Sequence, residues 1–242
     1  MNDKYLIVIA GPTASGKTAT AITIAKALKT VIISADSRQF YREIPIGTAA
    51  PTREELSEVE HFMIHNLSIE DRYDVADYEQ DVLLLLKQLF MSYDTVVMTG
   101  GSGLFIDAVC NGLDSIPDIS EETRNRVNVL YEKGGVVALQ NELQHLDPEY
   151  YEIVDKQNPR RLQRAIEVCY QTGLPYSSFR KNNTKERDFK IIKLALLWER
   201  NELITRINKR VENMISDGLV EEARSVYHKR NLNSLNTVGY KE

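Results

Sequence analysis

Apolar residues fill Tyr5 to Ala10 without a break, and Gly11 ends the run. A run so short and so continuous predicts a strand buried on both faces of a parallel sheet. From Lys17 to Leu28 the pattern changes, with Ile22, Ile24, Ala25 and Leu28 available to one face of a helix. The alternation then repeats along the chain. "VIISA" predicts a second strand ending at Asp36, "DYEQDVLLLLKQLFMS" a helix, and "TVVMTG" a third strand ending at Gly100. "IIKLALLW", from Ile191, predicts a fourth, with helix-rich sequence from Arg200 onward. Strands alternating with helices imply right-handed crossovers, hence an α/β fold: a parallel sheet with helices on both faces.

Between Gly112 and about Lys190 the buried-strand pattern disappears. Helical patterns replace it: "EETRNRVNVLYEKG", "VVALQNELQHL" and "PRRLQRAIEVCYQTG". The lead-in "DSIPDIS" is rich in Pro and Asp, and the exit "RKNNTKERDF" is polar and poorly periodic, both features of connecting segments. The expected organisation is a core domain of 1–111 and 190–242 interrupted by a helical insertion domain, 112–189. There is no internal repeat or low-complexity tract.

Composition narrows the class without naming a chemistry. The chain has 242 residues, 43% hydrophobic and 27% charged, enough for a sizeable core. Net charge is −5, from 35 acidic and 30 basic residues, so a nucleic acid would have to meet a local basic surface. Cys110 and Cys169 lie far apart in apolar surroundings and offer neither a disulfide framework nor a zinc set; both read as small core residues. No targeting segment or apolar stretch of about 20 residues is present. A reduced, cytoplasmic location and no membrane association are the expectation.

The chemistry begins at "GPTASGKT". Gly11, Pro12, Thr13, Ala14, Ser15, Gly16, Lys17 and Thr18 match G-x-x-x-x-G-K-[ST] between a predicted strand and a predicted helix, the setting this motif requires. The glycines let successive backbone N–H groups turn toward an anion, and the helix N-terminus adds a favourable dipole. Lys17 would reach the outer phosphate and the Thr18 hydroxyl would hold Mg²⁺. Alone, the motif suggests nucleotide binding, ATP or GTP. A triphosphatase usually also has a strand ending in Asp that helps hold the metal, yet "TVVMTGG" ends in Thr99, Gly100 and Gly101. The strand that ends in a carboxylate is "VIISAD". Asp36 is therefore the candidate for chemistry in the cleft beyond the strand C-termini, against the plainer reading of a turn residue or helix cap. The turn "GGSGLF" either admits a ligand's close approach or is a tight strand-to-helix joint, with Ser102 its one side chain able to hydrogen-bond a ligand.

Taken together, "GPTASGKT", "ISADSRQFYREIPIGTAAPT", "TGGSGLFIDAVCNGL", "NPRRLQRAIEV" with "TGLPYS", and "ERNELITRINKRVENMISDGLVEEA" with "TVGYKE" closely resemble the tRNA dimethylallyltransferases, also known as tRNA isopentenyltransferases, in their short bacterial form. The similarity runs through essentially the whole chain in order. It implies that the phosphate loop grips the diphosphate of dimethylallyl diphosphate as a leaving group. The five-carbon unit would pass to the exocyclic amine of the adenine on the 3′ side of the anticodon. The partners implied are the tRNA anticodon stem-loop and dimethylallyl diphosphate, with Mg²⁺ as cofactor, and a monomer is expected.

The resemblance also implies roles. Asp36 matches the family's base, Arg210 its diphosphate-binding arginine, and Lys17 and Thr13 complete the catalytic set. Ser37, Arg38 and Gln39 follow Asp36 and are placed to hydrogen-bond an unstacked base or its phosphate. With Asp36, Ser102, Arg124, Arg160, Arg161, Leu162, Gln163 and Arg164, they form the expected tRNA-binding set. Arg206 lies four residues before Arg210 and could share its anion, or could pair with Glu202 on a solvated face. "RKNNTKERDFKIIK" has six basic residues against two acidic, and reads more simply as solvated surface than as an RNA track. The family normally continues past "GYKE" into further helices with a basic segment, so a shortened chain is expected here.

Two other classes fit the unaided residues. A strand-end Asp opposite a phosphate loop would suit a nucleoside or small-metabolite kinase, which would consume ATP without prenyl transfer. An RNA-binding regulator with a vestigial loop would bind no phosphate ligand.

Overall fold

The computed structural model describes residues 3–180, 184–237 and 240. The chain divides into two compact units, Met1–Gly112 with Lys185–Glu242, and Leu113–Thr184. The first unit holds the sheet: β1 (Tyr5–Ala10), β2 (Ile32–Ser34), β3 (His61–Phe62), β4 (Thr95–Thr99) and β5 (Lys190–Ala195). The spatial order is β3-β2-β4-β1-β5, and every pairing is parallel. The helices of this unit are α1 (Lys17–Leu28), α2 (Arg53–Glu58), α3 (Val75–Leu89) and α4 (Gly103–Asn111). The second unit carries α5 (Glu121–Leu146), α6 (Pro148–Ile153) and α7 (Pro159–Thr172); α8 (Arg200–Ser216) and α9 (Leu219–Val226) return to the first.

Strand periodicity divides the central residues between the two faces of the sheet. Leu6 and Val8, Ile33, and Val96 and Met98 pack with Tyr78, Val82 and Leu86 of α3 and Ile106 and Val109 of α4. The alternate residues Ile9, Ile32 and Val97 pack with Ala21, Ile22 and Ala25 of α1. Both faces are thus covered, which is why these strands read as unbroken apolar runs. Each fully buried aliphatic side chain contributes about 1.5–3 kcal/mol. The edge strand β3 escaped the sequence reading because two residues give no periodicity. At the other edge β5 is only half covered, with Ile192 and Leu194 still 42% and 40% exposed.

In the second unit, α5 contains a break at Gly135 (φ 61°, ψ −156°), a region of backbone space open essentially to glycine alone. This is where the two helical patterns of the sequence met. Val127, Leu139 and Leu143 of α5, Tyr150 of α6, and Leu162, Ala165 and Ile166 of α7 make the core. Asp147 is buried with its carboxylate satisfied: it accepts from Tyr150 N, Ser177 N and Ser177 Oγ.

The expected boundary at 189 differs from the observed division after Thr184. Lys185 N donates to Asn111 O at 2.8 Å. Arg187 donates to Val109 O and Ala108 O at the end of α4 and to Glu79 of α3. These contacts bind 185–189 to the sheet unit: Arg187 satisfies Val109 O at the helix end, where carbonyls lack partners within the helix, and adds a second donor to Ala108 O, which already accepts from Gly112 N. Cys110 and Cys169 are buried free thiols, and burial raises the pKa of each above its ordinary value.

Candidate active site

The phosphate loop runs from the end of β1 into α1. Gly16 is the N-cap of α1 in the left-handed region (φ 87°), with no side chain capping the helix. The first N–H groups of α1 therefore remain available to an anion. Ala14 also has a positive φ, 61°, a conformation that costs an L-residue about 1–2 kcal/mol. Lys17 folds over the loop, its Nζ donating to Gly11 O at 3.0 Å and Pro12 O at 2.7 Å. Burial lowers the Lys17 pKa; the Asp36 carboxylate opposes this and Arg210 adds to it.

Asp36 stands just past β2. Its Oδ1 accepts from Arg38 N at 3.0 Å, forming a tight turn, and a Cβ on Gly101 would lie 3.5 Å from its Oδ2. The turn is seated on an aromatic cluster. Phe40, 1% exposed, stacks on Tyr78 with centroids 5.5 Å apart and meets Tyr73 edge-on. Tyr78 OH in turn donates to Ser34 O at the end of β2. At Gly100 any Cβ would sit 2.1 Å from Ala35 O, so the glycine is required where β4 passes β2. The "GG" turn is thus a tight joint at Gly100, with Gly101 facing the Asp36 carboxylate.

Helix α8 closes the site. Arg206, Arg210 and Asn213, spaced i, i+4, i+7, all line a cavity of about 560 Å³ together with Lys17, Thr18 and Asp36. Burial lowers the Arg210 pKa below its ordinary value, and Asp36 opposes the shift. Thr13, Ala14, Ser15, Gly16 and Glu55 line the same cavity, and the Glu55 carboxylate also accepts from Thr52 N at 2.8 Å to cap α2. A second cavity of about 870 Å³ shares Thr18, Ala49, Glu55, Arg210 and Asn213 with the first and adds both apolar residues, Ile46, Leu56 and Met214 among them, and charged ones, Arg42, Arg53 and Asp217. The anion hollow is therefore flanked by a second space of mixed lining.

Several expected ligand contacts have other partners. The Gln39 amide accepts from Ser34 Oγ and donates to Ala49 O at 3.0 Å and Thr48 O at 3.4 Å, so it braces the 48–49 loop while lining the cavity. Ser102 Oγ accepts from Ser37 N and donates to Ser37 Oγ; the two hydroxyls join the Asp36 turn to α4. Arg38 donates to Ser234 O at 2.9 Å. Arg206 turns to the loop, its Nε donating to Ala14 O at 2.7 Å.

In the insertion unit Arg124, Arg160, Arg161 and Arg164 are exposed. Arg164 lies 3.7 Å from Glu167. Burial raises the Glu167 pKa, and Arg164 and Arg124 oppose that rise. Arg160 and Gln163 line a shallow hollow of about 520 Å³ with Tyr131 and Asn158. Leu162 corrects the expected tRNA-contact set: it is 0% exposed, in the core between α5 and α7, and offers RNA no surface. In "RKNNTKERDFKIIK", Lys185 and Arg187 meet Glu79, Lys190 meets Asp3 and Lys193 meets Asp107; Lys181 lies outside the described residues, as do Val238, Gly239, Lys241 and Glu242.

Sequence reasoning missed Asn213, Glu55 and Trp198. Asn213 was within reach, since extending the Arg206–Arg210 spacing by one turn arrives at it. Trp198 Nε1 donates to Ser15 O at 2.9 Å across 183 residues, a contact with no local signal. Among the described residues no helix is long and apolar enough to cross a membrane.

Known proteins resemble both sequence and fold. The tRNA dimethylallyltransferase 1 of Phocaeicola vulgatus is 53% identical over 237 residues, covering 98% of this chain and 79% of that protein. Its namesake in Bacteroides fragilis is 52% identical over 242 residues, 100% of this chain and 80% of that one. Among solved structures, the tRNA isopentenylpyrophosphate transferase of Bacillus halodurans is 33% identical with a TM-score of 0.65, covering 98% of this chain and 75% of that one. A eukaryotic dimethylallyltransferase acting on tRNA matches with a TM-score of 0.76 at 23% identity, over 95% of this chain and 57% of that one, a likeness of fold alone. With the IPP transferase profile matching residues 39–242, over the Asp36 turn's successor segment, the insertion and α8, this chain belongs to the IPP transferase family.

Proposed function

We propose that this protein transfers a dimethylallyl group from dimethylallyl diphosphate to the exocyclic amine of the adenine on the 3′ side of the anticodon in tRNA, releasing diphosphate. The observation that carries the reading is the convergence of Lys17, Arg210 and Asp36 on one cavity at the C-terminal end of the sheet, where α/β proteins bind their ligands.

The reaction needs two opposite services close together. As the C–O bond to the allylic carbon breaks, its electron pair leaves with the diphosphate. Loop N–H groups, Lys17 and Arg210 are placed to receive that charge. The adenine amine is a weak nucleophile because its lone pair is delocalised into the ring. As its nitrogen bonds to the allylic carbon it must lose a proton, and the Asp36 carboxylate is the acceptor on the facing wall. Hydrogen-bonded to Arg38 N through Oδ1, that carboxylate is held in orientation. The hard oxygen donors Thr18, Asp36 and Glu55 on the cavity wall suit Mg²⁺; Thr18 would hold the ion, which supplies further neutralisation of the leaving group. Two adjoining cavities are compatible with donor and acceptor reaching the centre from different sides. The exposed arginines of the insertion unit suit the tRNA backbone.

Incubation with radiolabelled dimethylallyl diphosphate and an adenine-rich anticodon stem-loop tests the reading. Label should pass to the RNA with stoichiometric release of diphosphate. Consumption of ATP without label transfer would replace this reading with a kinase.

A further inference from the structure

The phosphate loop is held by two side chains from distant parts of the chain: Trp198, which does not line the anion cavity, and Arg206, which does. Trp198, three residues beyond β5, donates its indole Nε1–H to Ser15 O at 2.9 Å. Arg206, on α8, donates Nε–H to Ala14 O, the neighbouring carbonyl, at 2.7 Å. The two donors also stack, with the Arg206 guanidinium 4.3 Å from the Trp198 ring centroid. We propose that Trp198 and Arg206 form a clamp that aims the loop's N–H groups at the anion, making them positioning residues for diphosphate; this rests on the function proposed above.

The geometry follows from the peptide bond. In a trans peptide the C=O and the following N–H point in opposite directions. Holding Ser15 O on the outside therefore turns Gly16 N–H inward, where α1 begins. The Ser15 N–H donates to Pro12 O within the loop at 3.3 Å, so the Arg206 bond to Ala14 O fixes the shape of the loop around the Gly16 N–H. Ala14 has the left-handed backbone (φ 61°), so without the Arg206 bond the loop would relax toward a cheaper conformation. The register is set by the sheet, since Leu196 N donates to Ala10 O at 2.9 Å and so fixes Trp198 relative to the start of the loop. A pair stacked for its own sake would not direct two donors at consecutive carbonyls of one loop.

The probe is inorganic diphosphate, titrated calorimetrically into the unmodified chain, Trp198→Phe and Arg206→Lys. Trp198→Phe keeps the ring beneath Arg206 and removes only the N–H; Arg206→Lys keeps the charge and removes the planar donor. Each should weaken diphosphate binding about fivefold to tenfold, the scale of one lost hydrogen bond. The KM for dimethylallyl diphosphate should rise in step, with the KM for tRNA changed by less than about twofold, a split that general destabilisation would not produce. The chain has a single tryptophan, so the emission of the unmodified protein reports on the clamp even if a variant fails to fold: it should shift as diphosphate saturates. Parent-like diphosphate affinity in both variants, or flat emission through a titration that calorimetry shows to saturate, overturns the clamp and leaves the proposed function standing. If the unmodified chain binds no diphosphate, both fall.

Discussion

The sheet unit and the insertion unit use positive charge in different ways. In the sheet unit, Lys17 and Arg210 are partly withdrawn from water, and burial lowers both pKa values while Asp36 opposes the shifts. Their positions are set by a glycine-dependent loop and a helix that face the same cavity. In the insertion unit, Arg124, Arg160, Arg161 and Arg164 stand exposed on a helical scaffold whose core lies beneath them. A partly desolvated, fixed cation acts strongly on one anion in one place; an exposed one acts weakly and is screened by salt. The first arrangement suits a leaving group and the second a polyanion. Substitutions in the two units should therefore fail differently.

The largest effect is expected at Asp36. Asp36→Ala removes the proton acceptor and should lower the rate of label transfer about 10²- to 10⁴-fold, while calorimetric binding of diphosphate persists. Near-normal transfer would remove the base assignment and with it half of the contrast. Next come Lys17→Ala and Arg210→Ala. Each takes one charge from the leaving group and should cost about 10²- to 10³-fold in transfer. Here diphosphate binding should weaken too, which separates these two from Asp36→Ala.

The same contrast explains what was legible in the sequence. The strands β1, β2 and β4 and the phosphate loop were readable because burial on both faces leaves an unbroken apolar signal, and because the loop's chemistry is local. The place of Asp36 on the cavity wall was readable because a carboxylate that ends a buried strand is conspicuous. The structure adds what depends on distant partners. Gly100 is required by Ala35 O, Gln39 is committed to Thr48 and Ala49, and Trp198 reaches Ser15 from the end of β5, next to β1 in the sheet but 183 residues away in sequence. Leu162 was misplaced for a different reason. It was grouped with the arginines beside it, although Leu162, Ala165, Ile166 and Cys169 recur at helical spacing, the mark of a buried face. Its helical phase carried the answer, and all four are buried.

A smaller, graded effect is expected from the insertion. Replacing Arg160, Arg161 and Arg164 together with Ala should raise the KM for tRNA and leave diphosphate affinity unchanged. Each lost phosphate contact should also flatten the dependence of log affinity on log salt by about 0.7 to 0.9. Filter binding of an anticodon stem-loop across a salt series measures this slope. An unchanged slope would mean that these arginines do not meet the RNA backbone.

The smallest effect is also the one that separates the units most cleanly, because it uses the charge chemistry of lysine against that of arginine. Burial holds the Lys17 pKa below its ordinary 10.5. In the free protein, therefore, Lys17 loses its proton at a lower pH than an exposed lysine. A bound diphosphate favours the protonated form and raises the pKa again. By linkage, binding takes up a proton wherever the free side chain is neutral, so affinity falls as pH rises through the lowered pKa, by up to about tenfold per pH unit. An alkyl diphosphate is the suitable ligand, because its last ionisation is complete below this range. Lys17→Arg should flatten the profile, since arginine stays charged throughout. RNA binding by the arginines of the insertion should stay level over the same interval. A level profile for the unmodified chain would mean that Lys17 does not face the bound diphosphate, and the charge difference between the two units would then rest on Arg210.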